Sequence, residues 1–178
     1  MIEGPTKEKI VPLLSSAIGA LGKRIADSKI TVAESAAATL AKIAEIHPEC
    51  YLTNQTALVI LPILSQGLEA APRISSNIAK AWASLGDALR KIPNHGLTLD
   101  TIIEALLRNA FRSDISEKDY SIIENSLLGA MSLINACENT HSIQKFIEVF
   151  LSQLQQTGVI SGERRKFLQS GLLACLQV

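Results

Sequence analysis

The chain of 178 residues balances 17 Lys plus Arg against 17 Asp plus Glu, and it is 47% hydrophobic but only 4% aromatic. A zero formal net charge leaves no basic footprint to neutralise phosphates, so nucleic acid is not an expected partner. The apolar content is mostly Ala, Leu and Ile, which suits close helix packing, whereas a β-sandwich asks for more Val, Thr, Tyr and Phe.

The first amphipathic segment runs from Pro5 to about Ala26, with Ile10, Leu13, Leu14, Ile18, Leu21 and Ile25 recurring at intervals of three and four. A second is expected from Thr31, where Thr31 and Glu34 have capping-box spacing, to a stop at His47-Pro48. The third spans about Asn54 to Leu68, and Pro72 opens the fourth, because a proline at a first helical position gives up only an N–H that would be unpaired there. Turn residues Pro93-Asn94-His95-Gly96 close the second pair. Four more helices are expected at about Leu99 to Phe111, Asp119 to Ala136, Ser142 to Gln155 and Gly162 to Leu176.

These hairpins repeat in sequence. Ile10-Val11-Pro12-Leu13-Leu14-Ser15 returns as Ile60-Leu61-Pro62-Ile63-Leu64-Ser65, each with a proline inside the helix. Asn77 with Ser84-Leu85 returns 48 residues later as Asn125 with Ser132-Leu133, near the roughly 40 to 47 residues of a HEAT unit. The expectation is an all-α superhelix, a single HEAT-repeat solenoid over residues 1–178, with approximate repeats 5–47, 48–95, 96–138 and 139–178.

Chemistry-bearing constellations are not legible. Cys50, Cys137 and Cys175 are far apart with no CxxC pair, which argues against a disulfide framework or zinc site and suggests a reducing compartment. Cys137 and Cys175 fall on apolar faces and read as small core hydrophobes. His47, His95 and His141 are isolated, no glycine-rich phosphate cradle appears, and the acidic residues form no close pair. No enzyme, cofactor or metal is expected. Asn54-Gln55-Thr56 matches a glycosylation sequon but reads as the entry to a helix, since Met1-Ile2-Glu3-Gly4-Pro5 does not resemble a secretory leader. The longest apolar run, Ala57 to Leu64, is eight residues, too short for membrane insertion, which takes about 20.

What remains is surface. Arg73, Asn77, Lys80, Ser84 and Asp87 form a polar ridge along the fourth helix, opposite its apolar stripe. Such a ridge is either a merely solvated face or one rung of an extended wall that grips a partner. Trp82 lies two positions beyond Lys80, about 200° around the helix, and is expected to be packed inside.

The sequence resembles the importin-β, or karyopherin-β, nuclear import receptors. The likeness starts at Glu3-Gly4-Pro5 and passes through Pro12, Ala36-Ala37 and Pro48-Glu49. It is strongest over Gly67-Leu68-Glu69-Ala70-Ala71-Pro72-Arg73-Ile74-Ser75-Ser76-Asn77, and the tail Leu168-Gln169-Ser170 with Leu173-Ala174-Cys175-Leu176-Gln177 is similar too. These receptors are far longer, so the resemblance implies a central segment of four repeats. It implies that the second helix of each repeat faces inward and holds the basic helical segment of an importin-α-type adaptor, or a basic cargo, with release by Ran-GTP. It also implies passage between cytoplasm and nucleus at the nuclear envelope pore, through contacts of the parent protein with Phe-Gly nucleoporins. Glu34 then matches an acidic inner-face position and Asn77 a polar one, and the expected partner-facing set is Glu34, Ala38, Asn77, Lys80, Ser84, Asp87 and Glu124. Where the family often has tryptophan, this sequence has Ala38 and Lys80, so basic-helix binding is expected to be weaker or shifted. The competing expectation is a HEAT scaffold or assembly protein whose partner is not basic.

Overall fold

The computed structural model describes residues 7–92, 97, 99–115, 121–137, 140–156 and 166. Among them the chain forms seven α-helices and no strand: α1 (Lys7–Arg24), α2 (Ile30–Ile46), α3 (Asn54–Gly67), α4 (Pro72–Leu89), α5 (Asp100–Ala110), α6 (Ser121–Ala136) and α7 (Thr140–Gln156). A short 3-10 turn, Pro48–Cys50, follows α2. The expected turn at Pro93–Gly96 lies outside the described residues, as does the expected eighth helix apart from Lys166, which is helical.

Helix starts and stops follow the proline signals. Pro72 stands at the first position of α4, and Pro48 ends α2 by opening the 3-10 turn. The expected capping box on α2 does not form. That helix begins one residue earlier, at Ile30, with Lys29 as its N-cap and no side-chain cap bond. The reason is local: Asp27 turns the chain first, its Oδ1 accepting from the Lys29 N–H at 3.0 Å, so Thr31 is already helical and cannot cap. Pro12 and Pro62 both sit inside their helices with exposed rings, on the side where a missing N–H faces water.

Successive helices pack in pairs, α1 with α2, α3 with α4 and α5 with α6. The second helix of each pair also packs on the next, α2 on α4 and α4 on α6, while α1 meets α3 and α5 meets α7. This puts α4 at the centre, and its sequence fits that place. Ile74, Ile78, Ala81, Trp82, Leu85 and Leu89 are buried along it, Trp82 completely. The expectation of an inward Trp82 is thus met, though its Nε1 finds no acceptor among the described residues. A buried, unpaired donor of this kind costs roughly 1–3 kcal/mol, which the large area of the indole offsets.

Two glycines allow α4 and α6 to approach closely. A Cβ on Gly86 would lie 2.6 Å from the backbone carbon of Ser132, and one on Gly129 would lie 2.9 Å from the carbonyl oxygen of Ala79. On the other side of α4, α2 presents Ala33, Ala36, Ala37, Ala41 and Ala44 as its buried positions with Leu40. Small side chains reduce the spacing between helix axes, so this row of second helices packs tightly. At the far end Phe150 of α7 meets Phe111 edge-on at 5.4 Å and stacks with Phe146 at 5.9 Å.

Polar struts tie neighbouring pairs together. Arg112, just beyond α5, donates from Nη1 to the Ala70 carbonyl at 2.7 Å and closes on Asp114 through two further bonds of 2.9 and 2.7 Å. The Asn125 amide of α6 donates to Ser76 Oγ of α4 at 3.0 Å. Tyr51, completely buried, donates its hydroxyl to the Leu40 carbonyl at 2.7 Å.

Candidate partner-binding surface

The row α2–α4–α6 has one open side, because α4 is covered by α2 and α6 on its flanks and by α3 behind. Helical periodicity decides which residues reach it. On α4 these are Arg73, Asn77, Lys80, Ser84 and Asp87, all exposed or half-exposed while the residues between them are mostly buried. The ridge expected from sequence is therefore the open face of α4. On α2 the exposed residues at this spacing are Thr31, Ser35, Ala38, Thr39, Lys42 and Glu45, with Glu34 half-buried beside them; the hydrophobic Ile30, Val32 and Ile46 are exposed on the same helix. On α6 they are Ser121, Glu124, Leu128 and Asn135.

The hydrogen bonds on this face share a pattern. Ser35 Oγ donates to the Thr31 carbonyl and Thr39 Oγ1 to the Ser35 carbonyl, each at 2.8 Å. On α4, Asn77 Nδ2 donates to the Arg73 carbonyl at 2.9 Å and Ser84 Oγ to the Lys80 carbonyl at 3.4 Å. In each case a donor goes to a carbonyl four residues back, which leaves the oxygen lone pairs, and the second N–H of the Asn77 amide, as the outward-facing capacity. Three carboxylates add to them: Glu34, Asp87 and Glu124 form no ion pair with any described residue. The face is thus rich in acceptors although the chain as a whole is neutral.

Three positive groups, Arg73, Lys42 and Lys80, moderate it. Lys42 Nζ lies 2.9 Å from Glu45 Oε1, and Lys80 Nζ reaches across from α4 to Glu45 Oε2 at 3.2 Å. The hydrogen bond from Lys42, then that from Lys80, hold the Glu45 carboxyl below the usual range. Sequence reasoning named Lys80 but missed Glu45 and Lys42, since a contact between residues 35 apart on two helices has no local signal. Ala38 is exposed with nothing built over it, and Leu128 is the one large hydrophobic side chain exposed on α6 among the described residues.

Elsewhere a cleft of about 430 Å³ opens where the C-terminal ends of α1 and α3 meet, lined by Gly22, Ile25, Ile63, Gly67 and the exposed polar residues Lys23 and Glu69. His47 pairs with Glu49 at 3.3 Å in the turn after α2, and no group of three potential metal ligands occurs among the described residues. Cys50 is buried, and Cys137, half-buried just past α6, packs against the core; Cys175 lies outside the described residues. No described helix is long and apolar enough to cross a membrane.

Fold and surface together define an all-α protein of paired, stacked helices with one open polar face. No family model matches the chain.

Proposed function

We propose that the chain is a HEAT-repeat solenoid segment of an importin-β-like transport receptor, and that the open face of α2, α4 and α6 binds a basic helix of an importin-α-type adaptor or cargo. The observation that carries this reading is the acceptor-rich face. The Ser35, Thr39 and Ser84 hydroxyls and one N–H of the Asn77 amide are bonded within their own helices, and the carboxylates of Glu34, Asp87 and Glu124 have no ion-pair partner among the described residues. Arg and Lys side chains bring donors and positive charge that complement these acceptors and carboxylates. Repeated stacking of second helices is the arrangement that lines up an extended binding wall. Within that reading, Ran-GTP displaces the load, Phe-Gly nucleoporins engage the parent protein, and the protein shuttles between cytoplasm and nucleus.

A second reading has its own support. Lys42, Lys80 and Arg73 share the face with the carboxylates, and Leu128 is exposed on it. A general HEAT scaffold with a non-basic partner would use such a mixed surface.

The test is fluorescence anisotropy of a labelled importin-α-type basic segment, titrated with the chain at low and near-physiological salt, for wild type and Glu34→Lys. Binding that weakens with salt and with the charge reversal supports the transport reading. Binding that ignores both, or none at all by a folded chain, favours the scaffold.

A further inference from the structure

The three-residue bridge on the open face points to control of affinity, an inference that rests on the basic-partner reading. Glu45 stands in the last turn of α2 on the same side as the α4 ridge, and a partner's cation would meet its carboxylate there. Both oxygens are already engaged, Oε1 by Lys42 and Oε2 by Lys80. The bridge is reachable from solvent, since the Lys80 side chain is 50% exposed and that of Glu45 41%. The two lysines are not equivalent. Lys42 is a same-helix neighbour three residues away, whereas Lys80 comes from the next repeat and stands in the middle of the ridge between Asn77 and Ser84.

We infer that Lys80 is an internal stand-in for a partner's basic side chain: it occupies Glu45 in the free protein and must be displaced before a basic helix can pair there. Two consequences have the same sign. The partner's cation loses one carboxylate oxygen, and it meets a like charge at the centre of the face. Lys80 therefore sets a threshold that favours partners with several closely spaced cations over those with one, because a single cation merely exchanges one ion pair for another of similar strength.

The probe is the same labelled basic segment, measured against wild type, Lys80→Met, Glu45→Gln and the double variant. Met keeps the apolar stem of the lysine and removes only its charge. Lys80→Met is expected to bind about two- to fivefold tighter than wild type at low salt. The gain is expected to disappear in the Lys80→Met/Glu45→Gln background, which shows that it passes through the freed carboxylate. No gain on Lys80→Met, or a gain of equal size without Glu45, overturns the inference, the second outcome reducing Lys80 to a contributor of net charge. If wild type binds but Lys80→Met gains nothing, the stand-in role alone fails. If neither wild type nor Lys80→Met binds, the transport reading and the inference fail together; if Lys80→Met alone binds, and only with Glu45 present, the inference stands.

Discussion

Arg112 spans two helix pairs, its Nη1 donating to the carbonyl of Ala70 at 2.7 Å in the turn that joins α3 to α4. Asp114 holds the guanidinium in place through both of its carboxylate oxygens, and the same Nη1 lies within 3.4 Å of Ser75 Oγ and 3.3 Å of Asn109 Oδ1. This is one anchor for several partners, and it fixes how the α5–α6 pair sits on the α3–α4 pair.

Removing the anchor has a directional cost. Arg112→Ala is expected to lower stability by roughly 1–3 kcal/mol, because the Ala70 carbonyl loses a charge-assisted bond in a partly buried turn. Arg112→Lys is expected to recover only part of this, since an ammonium cannot grip Asp114 with two parallel bonds. Urea denaturation followed by circular dichroism checks both. A Lys variant as stable as wild type would show that charge alone matters here.

The close approach of α4 and α6 gives a second prediction. Gly86→Ala puts a methyl 2.6 Å from the Ser132 backbone, and backbone cannot yield as a flexible side-chain end can, so a loss of roughly 1–3 kcal/mol is expected. Gly19→Ala, on α1 with nothing within 4 Å of the added Cβ, is expected to be neutral or to stabilise by up to about 1 kcal/mol through helix propensity. Thermal melts of the two variants should shift in opposite directions or differ clearly in size; equal shifts would contradict the packing described.

Tyr51 couples stability to alkaline pH. Burial, and to a lesser degree the neighbouring Cys50, pushes its hydroxyl far above the ordinary value, while the unfolded chain titrates near pH 10. A raised folded value means that the stabilisation is complete below about pH 10 and is lost as pH rises beyond it, at about 1.4 kcal/mol per pH unit. Tyr51→Phe removes the hydroxyl bond to Leu40, at a cost of roughly 0.5–1.5 kcal/mol near neutrality. It also removes the alkaline slope. Denaturation curves at pH 8 to 11 are therefore expected to converge for wild type and variant, and parallel curves would contradict the assignment.

Much of the fold is legible in the sequence because its signals are local. The spacing of Ile74, Ile78, Ala81, Leu85 and Leu89 is a helix stripe, and the structure buries all five. Pro72 marks a start and Pro48 a stop with equal clarity. Thr31 with Glu34 misleads because a capping box is a possibility of spacing, and Asp27 turns the chain first. The surface was only half legible. The α4 ridge follows from periodicity, but Glu45 meets Lys80, and Arg112 meets Ala70, only after three helices have been stacked. Nor does a sequence report that Ser35, Thr39 and Ser84 spend their hydroxyl donors, and Asn77 one amide N–H, on their own helices and so leave acceptors outward.

The most direct test of the basic-partner account is amide chemical-shift mapping of the isotope-labelled chain as an importin-α-type basic segment is added. The account predicts perturbations concentrated on the open face, at and around Glu34, Lys80, Ser84 and Glu124, with α1 and α3 unmoved. Perturbations confined to α1 and α3, or none at saturating peptide, would contradict it.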